Sequence, residues 1–552
     1  MYPILILLSY YWLIIFSITG YGFFVQKFFI KDDSISIGYI GIFGIFFLTL
    51  VSYISHFFIP HTEIFNSIIL ILGLINLYLN KNSSFIKKDM KIFFIIFIIL
   101  ILFILTAKNH DDFPYYHFPY IHLITEFSNV IGLGNFNHGF RTHSSIFYFA
   151  SLFNLPQSNF LLLNLSPVFF VGFCNLILLN KIKNYLKKNN SDAILYLTIL
   201  SFIFINIFFY RLAEHGTDRS AMILIFILVI ELLYLNNLKK NFNENYLIKL
   251  FIIISLVISL KPFYMLYVLL FIPILLLLIK NKISLFFFLK NTALYLCFLL
   301  ICLLIITNFF NTGCLIYPVQ LLCFESFSWS IPLNEVELMN NWYQQWSKAG
   351  ASPTYRVDNP EIYIQKFNWV SNWIDAYFFN KVSDFLLGLL FLILVVVFIF
   401  YSKNIKNNIK TKFLFLYLIL ILLFLEWFYF HPSLRYGGYH LIALIFFIPV
   451  SIFISKFSIN KSKLKVKVYF LIILTIIIFT SRNITRIHKE YRIYDYDIIA
   501  KPFYRLEEQN FSIFNKIDNI NNCTGKSKND KCKDPNYELK KMNNFNIYYR
   551  KK

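Results

Sequence analysis

Two adjacent carboxylates, Asp111 and Asp112, open the segment NHDDFPYYHFPYIHLITEFSNVIGLGNFNHGFRTHSSIFYFASLFNLP (109–156), directly after an apolar run that follows a lysine-rich stretch. Either acid can serve as a general base, ligate a metal, or simply hydrate a turn, because Asp-Asp-Phe-Pro is good turn chemistry. Tyr115, Tyr116, His117 and Tyr120 follow at once, an aromatic density that a plain connector does not need. Three cations complete the set: Arg141 in GFRTHSS, Lys261 before Pro262, and Arg435 next to Tyr436 in HPSLRYGGYH. Such cations can hold an anionic group. Arginine can grip a carboxylate or phosphate with two parallel hydrogen bonds, which lysine cannot, so Arg435 ranks above Lys261. Each also has a plainer role, as an interfacial anchor or as an ordinary turn cation.

Glu214 and Asp218, in RLAEHGTDRS, form a second acidic group. They either hold a divalent metal together with Asp111 or pair with Arg211 and Arg219, and pairing is the simpler expectation because the loop supplies its own counter-ions. His110, His117, His122, His138 and His143 lack the tight spacing of a zinc site; only His117 reads as a group that orients an acceptor. No cofactor is required by these residues, and a divalent metal at Glu214 and Asp218 is the one option they leave open.

What must position these groups is membrane. The chain has 552 residues, 58% hydrophobic, 20% aromatic and 14% charged, more apolar side chain than a soluble core can hide. Apolar runs lie at 3–26, 35–59, 64–80, 91–107, 159–180, 193–210, 219–236, 284–310, 384–402, 413–430, 437–455 and 468–482, with a further pair in 248–280. That predicts an all-α polytopic membrane protein of about 12 to 14 spans of irregular length, plus a small outer loop and a tail. The amino terminus, MYPILILLSYYWLIIF, lacks a basic n-region and a cleavage site and reads as the first span.

The formal charge of +22 would suggest nucleic acid in a soluble protein, but here the lysines crowd into gaps at 81–91, 181–190, 237–241, 280–282, 402–412 and 455–467. If the spans alternate, those gaps share one side, the cytoplasmic one, so nucleic acid is not an expected partner. Gaps at 108–143, 211–219, 311–383 and 431–437 and the tail from 483 then face outward. The expected divisions are N-terminal hairpins (1–80), a membrane core (81–310) carrying the outer loop 108–156, an outer loop (311–383), C-terminal spans (384–482) and an outer tail (483–552). Residues 144–156 are too short to cross and end at a proline, so a half-helix lying at or dipping into the outer surface is expected. Outward location also makes disulfides the expectation for Cys314 with Cys323 and for Cys523 with Cys532, each closing a ring worth roughly 2–3 kcal/mol. Trp329, Trp342, Trp346, Trp369 and Trp373, with Glu325, Glu335 and Glu337, suit either stacking on sugar rings or resting on a membrane surface.

An acidic pair in an outer loop after a span, a short half-helix behind it, many irregular spans and a late Arg-Tyr element in HPSLRYGGYH resemble the GT-C glycosyltransferases, among them the protein O-mannosyltransferases and the lipid A aminoarabinose transferases. The resemblance covers about residues 91–482. The three spans before residue 81 depart from it, since those enzymes place the acidic loop directly after the first span. It implies transfer of a sugar from a polyprenyl-phosphate donor to a hydroxyl of a glycan, lipid or protein, with Asp111 or Asp112 as base. Arg435, Arg141, Lys261, His117, Tyr116 and Tyr436 would bind substrate, at the outer face of a bacterial inner membrane. A polymerase or ligase of lipid-linked oligosaccharides would use similar residues. A transporter or flippase would instead need ionisable groups deep in the spans, where Glu231 and Glu426 are the few acids.

Overall fold

A computed structural model describes residues 3–32, 35–80, 84–106, 112–159, 161–188, 191–210, 216–237, 244–280, 291–351, 357, 359–405, 413–495, 497–499, 537–542 and 545–550. Asp111, Glu214, Cys523 and Cys532 lie outside them.

Helices dominate, as the apolar runs require. Among the described residues seven are long and apolar enough to cross a membrane: Pro3–Ile30, Ile37–His56, Ser166–Lys188, Thr292–Thr312, Val370–Phe400, Gly438–Ser455 and Lys461–Ile493. Five shorter apolar helices, Glu63–Leu79, Ala193–Phe208, Tyr246–Leu260, Pro262–Leu276 and Leu414–Phe430, pack among them. The chain is thus a helical, polytopic membrane protein. Short polar side chains mark where helices begin: Asp192 accepts from the backbone amides of Ile194 and Leu195, each at 3.1 Å, and Asn291 and Asn460 cap Thr292–Thr312 and Lys461–Tyr494 in the same way.

The centre of the bundle is the helix Gly216–Asn237, in which every residue from Ala221 to Ile230 is at most 1% exposed. Its faces are covered by neighbouring helices rather than by lipid. Those are Ser166–Lys188, Ala193–Phe208, Glu244–Leu260 and Gly438–Ser455. By contrast Glu63–Leu79 buries only Asn66 and Gly73 and turns Ile64, Ile68, Ile71 and Leu79 outward, as a lipid-facing helix does. It meets Pro3–Val25 where Gly20 faces Gly73, so closely that a Cβ on Gly20 would stand 1.9 Å from the Gly73 carbonyl oxygen.

Two expectations are corrected. Of the two placements expected for the half-helix after residue 144, lying at the surface or dipping in from it, the first is not found: Ser145–Ser151 is buried at every position, wedged against Ile37–His56 and Phe118–Glu126, with Tyr148 stacked on Tyr53 at 4.0 Å. Its small serines and apolar rings leave no polar face to show water. The last span does not stop at 482 but runs on as one helix to Tyr494, and the helix assigned to begin at 384 already starts at Val370. The all-α expectation holds for the bundle, with one small sheet beside it. Strands Tyr537–Met542 and Phe545–Arg550 form an antiparallel pair, and the second adds in parallel to Val130–Ile131, with Val130 opposite Asn546. Tyr548 stacks on Phe136 at 3.5 Å, so the tail returns to the 109–156 segment.

The expected bond between Cys314 and Cys323 is present. The lysine-rich gaps after 400 and after 455 also lie together, Ser458 N donating to Asn404 O at 2.8 Å. We predict that Gly20→Ala, which cannot be absorbed by a backbone carbonyl, destabilises the protein by about 1–3 kcal/mol. Thermal unfolding in a defined lipid bilayer checks this; an unchanged midpoint would show that the two helices do not meet there.

Candidate functional site

Arg435 is delivered by a 3-10 turn, Leu434–Tyr436, between the helices Leu414–Phe430 and Gly438–Ser455. Four bonds fix that turn. Trp373 Nε1 donates to Pro432 O at 3.0 Å, Trp427 Nε1 to Ser433 O at 2.9 Å, the Leu434 amide to the Tyr377 hydroxyl at 3.0 Å, and the Tyr436 amide to Ser433 O at 2.9 Å. Gly437 then takes φ +128°, a backbone state closed to ordinary L side chains, which lets the next helix start at once.

From this turn the guanidinium reaches two carboxylates far apart in sequence. Its Nη2 donates to Asp112 Oδ2 at 2.6 Å and its Nε to Asp218 Oδ2 at 2.8 Å. Lys261, at the break between Glu244–Leu260 and Pro262–Phe271, places Nζ 2.8 Å from Asp218 Oδ1. The four groups form one chain, Asp112–Arg435–Asp218–Lys261, and its exposure is graded. Asp218 is 1% exposed, while the side chains of Asp112, Arg435 and Lys261 are 24%, 23% and 22% exposed. The buried member is therefore an anion, and the open side carries both cations together with Asp112.

Burial alone would push the Asp218 carboxyl up; Lys261 and Arg435 beside it outweigh burial and hold it well below the ordinary value of 3.8. Tyr116, in the π-helical turn Phe113–His117 that follows Asp112, packs into the same cluster, and burial next to Asp112 raises its phenol well above 10. Tyr436 is raised for the same first reason, burial, and its ring lies 5.6 Å from Lys261 Nζ. His117 sits against the rings of Tyr116, at 4.4 Å, and Phe147, at 5.0 Å. Trp346 approaches Tyr436 at 5.5 Å, bringing one tryptophan of the 311–383 loop to the edge of the cluster. Trp369 and Trp373 are instead buried, in the packing that supports the turn.

The structure therefore joins Asp112, Lys261, Arg435, Tyr116, Tyr436 and Asp218, and sets Arg141 apart. Arg141 Nη2 pairs with Glu335 at 3.2 Å, its Nε donates to Gly134 O at 2.9 Å and its Nη1 to the Tyr317 hydroxyl at 3.3 Å. It fastens the 311–383 loop to the 109–156 loop. Asp218 pairs with Arg435 and Lys261 and not with Arg219, whose guanidinium lies over the rings of Phe209 and Tyr439; the other expected partner, Arg211, lies outside the described residues. Among the described residues no group of three or more His, Cys, Asp and Glu side chains is placed to hold a metal. Sequence reasoning missed Tyr377 and Trp427 as supports of the Arg435 turn, and no spacing in the chain signals them.

The whole cluster falls inside residues 4–442, which match a family model described as a domain of unknown function, DUF8201. No curated protein and no solved structure matches the chain.

Removing the buried anion strands two cations. Asp218→Asn is expected to destabilise the protein by about 3–5 kcal/mol at neutral pH. Because the folded-state value is depressed, the wild-type advantage is complete above the ordinary carboxylate value of 3.8 and drains as pH falls below it. Unfolding midpoints of both proteins between neutral pH and pH ~3 check this. A gap that stays constant across the series would show that the carboxylate is not ion-paired.

Proposed function

The chain belongs to the DUF8201 family, and from its charge cluster we propose that it is a glycosyltransferase that moves a sugar from a polyprenyl-phosphate donor to a hydroxyl acceptor at one face of the membrane. The observation that carries this is the contact of Arg435 with Asp112, 323 residues away, at 2.6 Å, with Lys261 on the same acid-anchored chain.

The donor presents a phosphate on a lipid tether. Arg435 and Lys261 are held from below by Asp218 and partly exposed above, so an incoming phosphate competes with Asp112 for the Arg435 fork. Asp112, displaced from Arg435, becomes a carboxylate beside the bound donor. It takes the proton of the acceptor hydroxyl as the acceptor oxygen bonds to the anomeric carbon and the bond from that carbon to the phosphate oxygen breaks. Polyprenyl phosphate leaves with the electron pair, and the two cations stabilise its added charge, a contribution of about 3 kcal/mol for one preorganised donor. Trp346 and Tyr436 offer ring faces for the sugar.

Two further observations favour a reaction at a membrane surface over a transport path. The deep acid Glu231 is engaged by Lys181 and by the Tyr39 hydroxyl. The disulfide Cys314–Cys323 lies in the loop that Arg141 ties to the 109–156 segment, which suits an oxidising outer compartment such as the periplasm.

Purified protein in lipid nanodiscs, given radiolabelled polyprenyl-phosphate sugars and an extract of envelope glycans and lipids as acceptor pool, should transfer label. Asp112→Asn should lower turnover by about 10²- to 10⁴-fold. Arg435→Lys should lower it by about 10²-fold or more, since a point charge replaces the fork. Full turnover in Asp112→Asn together with loss in Asp111→Asn would move the base to the neighbouring acid. Full turnover in both would remove a carboxylate base from this loop.

A further inference from the structure

At the lysine-rich end of the bundle, away from the charge cluster, the long helix Lys461–Tyr494 stands off from Ser84–Ile104, Ser166–Lys188 and Ala193–Phe208. Between them it leaves a groove of about 460 Å³. Ile96, Leu179, Phe202 and Ile472 represent its walls, which are almost wholly apolar. Lys183, Lys187 and Lys465 stand at one end, because 183 and 187 close the helix Ser166–Lys188 and 465 opens the helix Lys461–Tyr494.

The other end is shut and chemically quiet. Asn175 and Asn206 satisfy each other through two amide bonds of 2.9 Å, and Phe103 stacks on Phe479 at 6.2 Å. From Lys465 to Phe479 the helix rises roughly 20 Å at its pitch of about 1.5 Å per residue. That exceeds half of the ~30 Å hydrocarbon core of a bilayer and suits one extended acyl chain. On the rim, Ile95 is 44% and Tyr469 53% exposed, so the groove opens sideways, where lipid would be.

We propose that this groove holds one acyl chain of an anionic phospholipid from the leaflet on the lysine side, its phosphate met by Lys187 and Lys465. Lys183 is already committed to Asp89 at 3.0 Å, whereas Lys187 and Lys465 make no ion pair with any described residue. An apolar slot with cations at its mouth complements both halves of such a lipid. A polyprenyl chain fits the slot less well, since its phosphate would lie at the lysine end and the reaction proposed above needs it at Arg435. The lipid also fills a mechanical gap. The far half of Lys461–Tyr494 is fastened by Arg482 to Ile207 O at 2.6 Å and by Arg486 to Tyr210 O at 3.3 Å, and the near half spans the groove.

Native mass spectrometry of the full-length protein, released from nanodiscs of phosphatidylglycerol, phosphatidylcholine or a phosphatidylcholine–polyprenyl phosphate mixture, reads the occupant without any assay of transfer. Wild type should retain one phosphatidylglycerol per chain with a roughly tenfold preference over phosphatidylcholine. The double variant Lys187→Glu, Lys465→Glu should lose the preference, and Leu179→Trp, which fills the slot, should retain neither lipid. Should Leu179→Trp fail to fold, the surface double variant still decides. Equal retention of the two phospholipids by wild type, an undiminished preference in the double variant, or a preferential retention of polyprenyl phosphate that the Lys187→Glu, Lys465→Glu variant loses would each overturn the proposal; polyprenyl phosphate that both proteins retain alike is held at Arg435 and Lys261 and leaves the phospholipid comparison to decide.

Discussion

A carboxylate sealed almost completely from solvent, Asp218, holds one end of this bundle together because two cations from different parts of the chain must come to it. Burying one charge is costly, and breaking a buried pair leaves the surviving charge uncompensated. Here the anion is saturated by Lys261 and by Arg435, which in turn binds Asp112. Helix starts and breaks in four regions of the sequence are thereby fixed relative to one another. The order matters for chemistry. With the anion beneath and the cations facing outward, an incoming anion gains two positive contacts and has only Asp112 to displace.

Everything around the cluster serves to keep that anion dry and in place. The helix Gly216–Asn237 is buried among its neighbours from Ala221 to Ile230, so its amino-terminal turn, with Asp218, is held at the centre of the bundle. The Arg435 turn hangs from three aromatic side chains, Trp373, Trp427 and Tyr377, each bonded to its backbone. The 311–383 loop supplies Trp373 and Tyr377 from the same stretch that becomes the helix Ser383–Phe400, so a membrane-spanning helix and the supports of the site are one continuous element. Arg141 and Glu335 then clamp that loop to the segment bearing Asp112, and the tail strand Phe545–Arg550 braces the segment from its other side.

Much of the helical frame was legible in the residues, because a lipid-facing or buried span must be apolar along its whole length. The runs at 193–210, 413–430 and 437–455 recur as Ala193–Phe208, Leu414–Phe430 and Gly438–Ser455. Ends were less legible where helix continues past the apolar stretch, as in Lys461–Tyr494, whose last turns are polar. Asp112, Arg435 and Lys261 stood out as charges at the ends of apolar runs, and the structure brings them together. Which charge meets which is a tertiary fact. Asp218 has Arg219 beside it in sequence, yet its recorded ion pairs are with residues 43 and 217 positions away, because the helix turns position 219 toward Phe209 and Tyr439. Strands at 537–542 and 545–550 were hidden for another reason, since a hairpin of YELKKM and FNIYYR carries too little periodicity to be told from a tail.

The most direct test is a double-mutant cycle between Asp112 and Arg435, read as unfolding free energy in one defined bilayer for wild type, Asp112→Asn, Arg435→Gln and the double variant. If the fork joins the two as described, the changes are non-additive, with a coupling of about 0.5–3 kcal/mol. Strict additivity would contradict it, and with it the claim that a phosphate entering here must take Arg435 from Asp112.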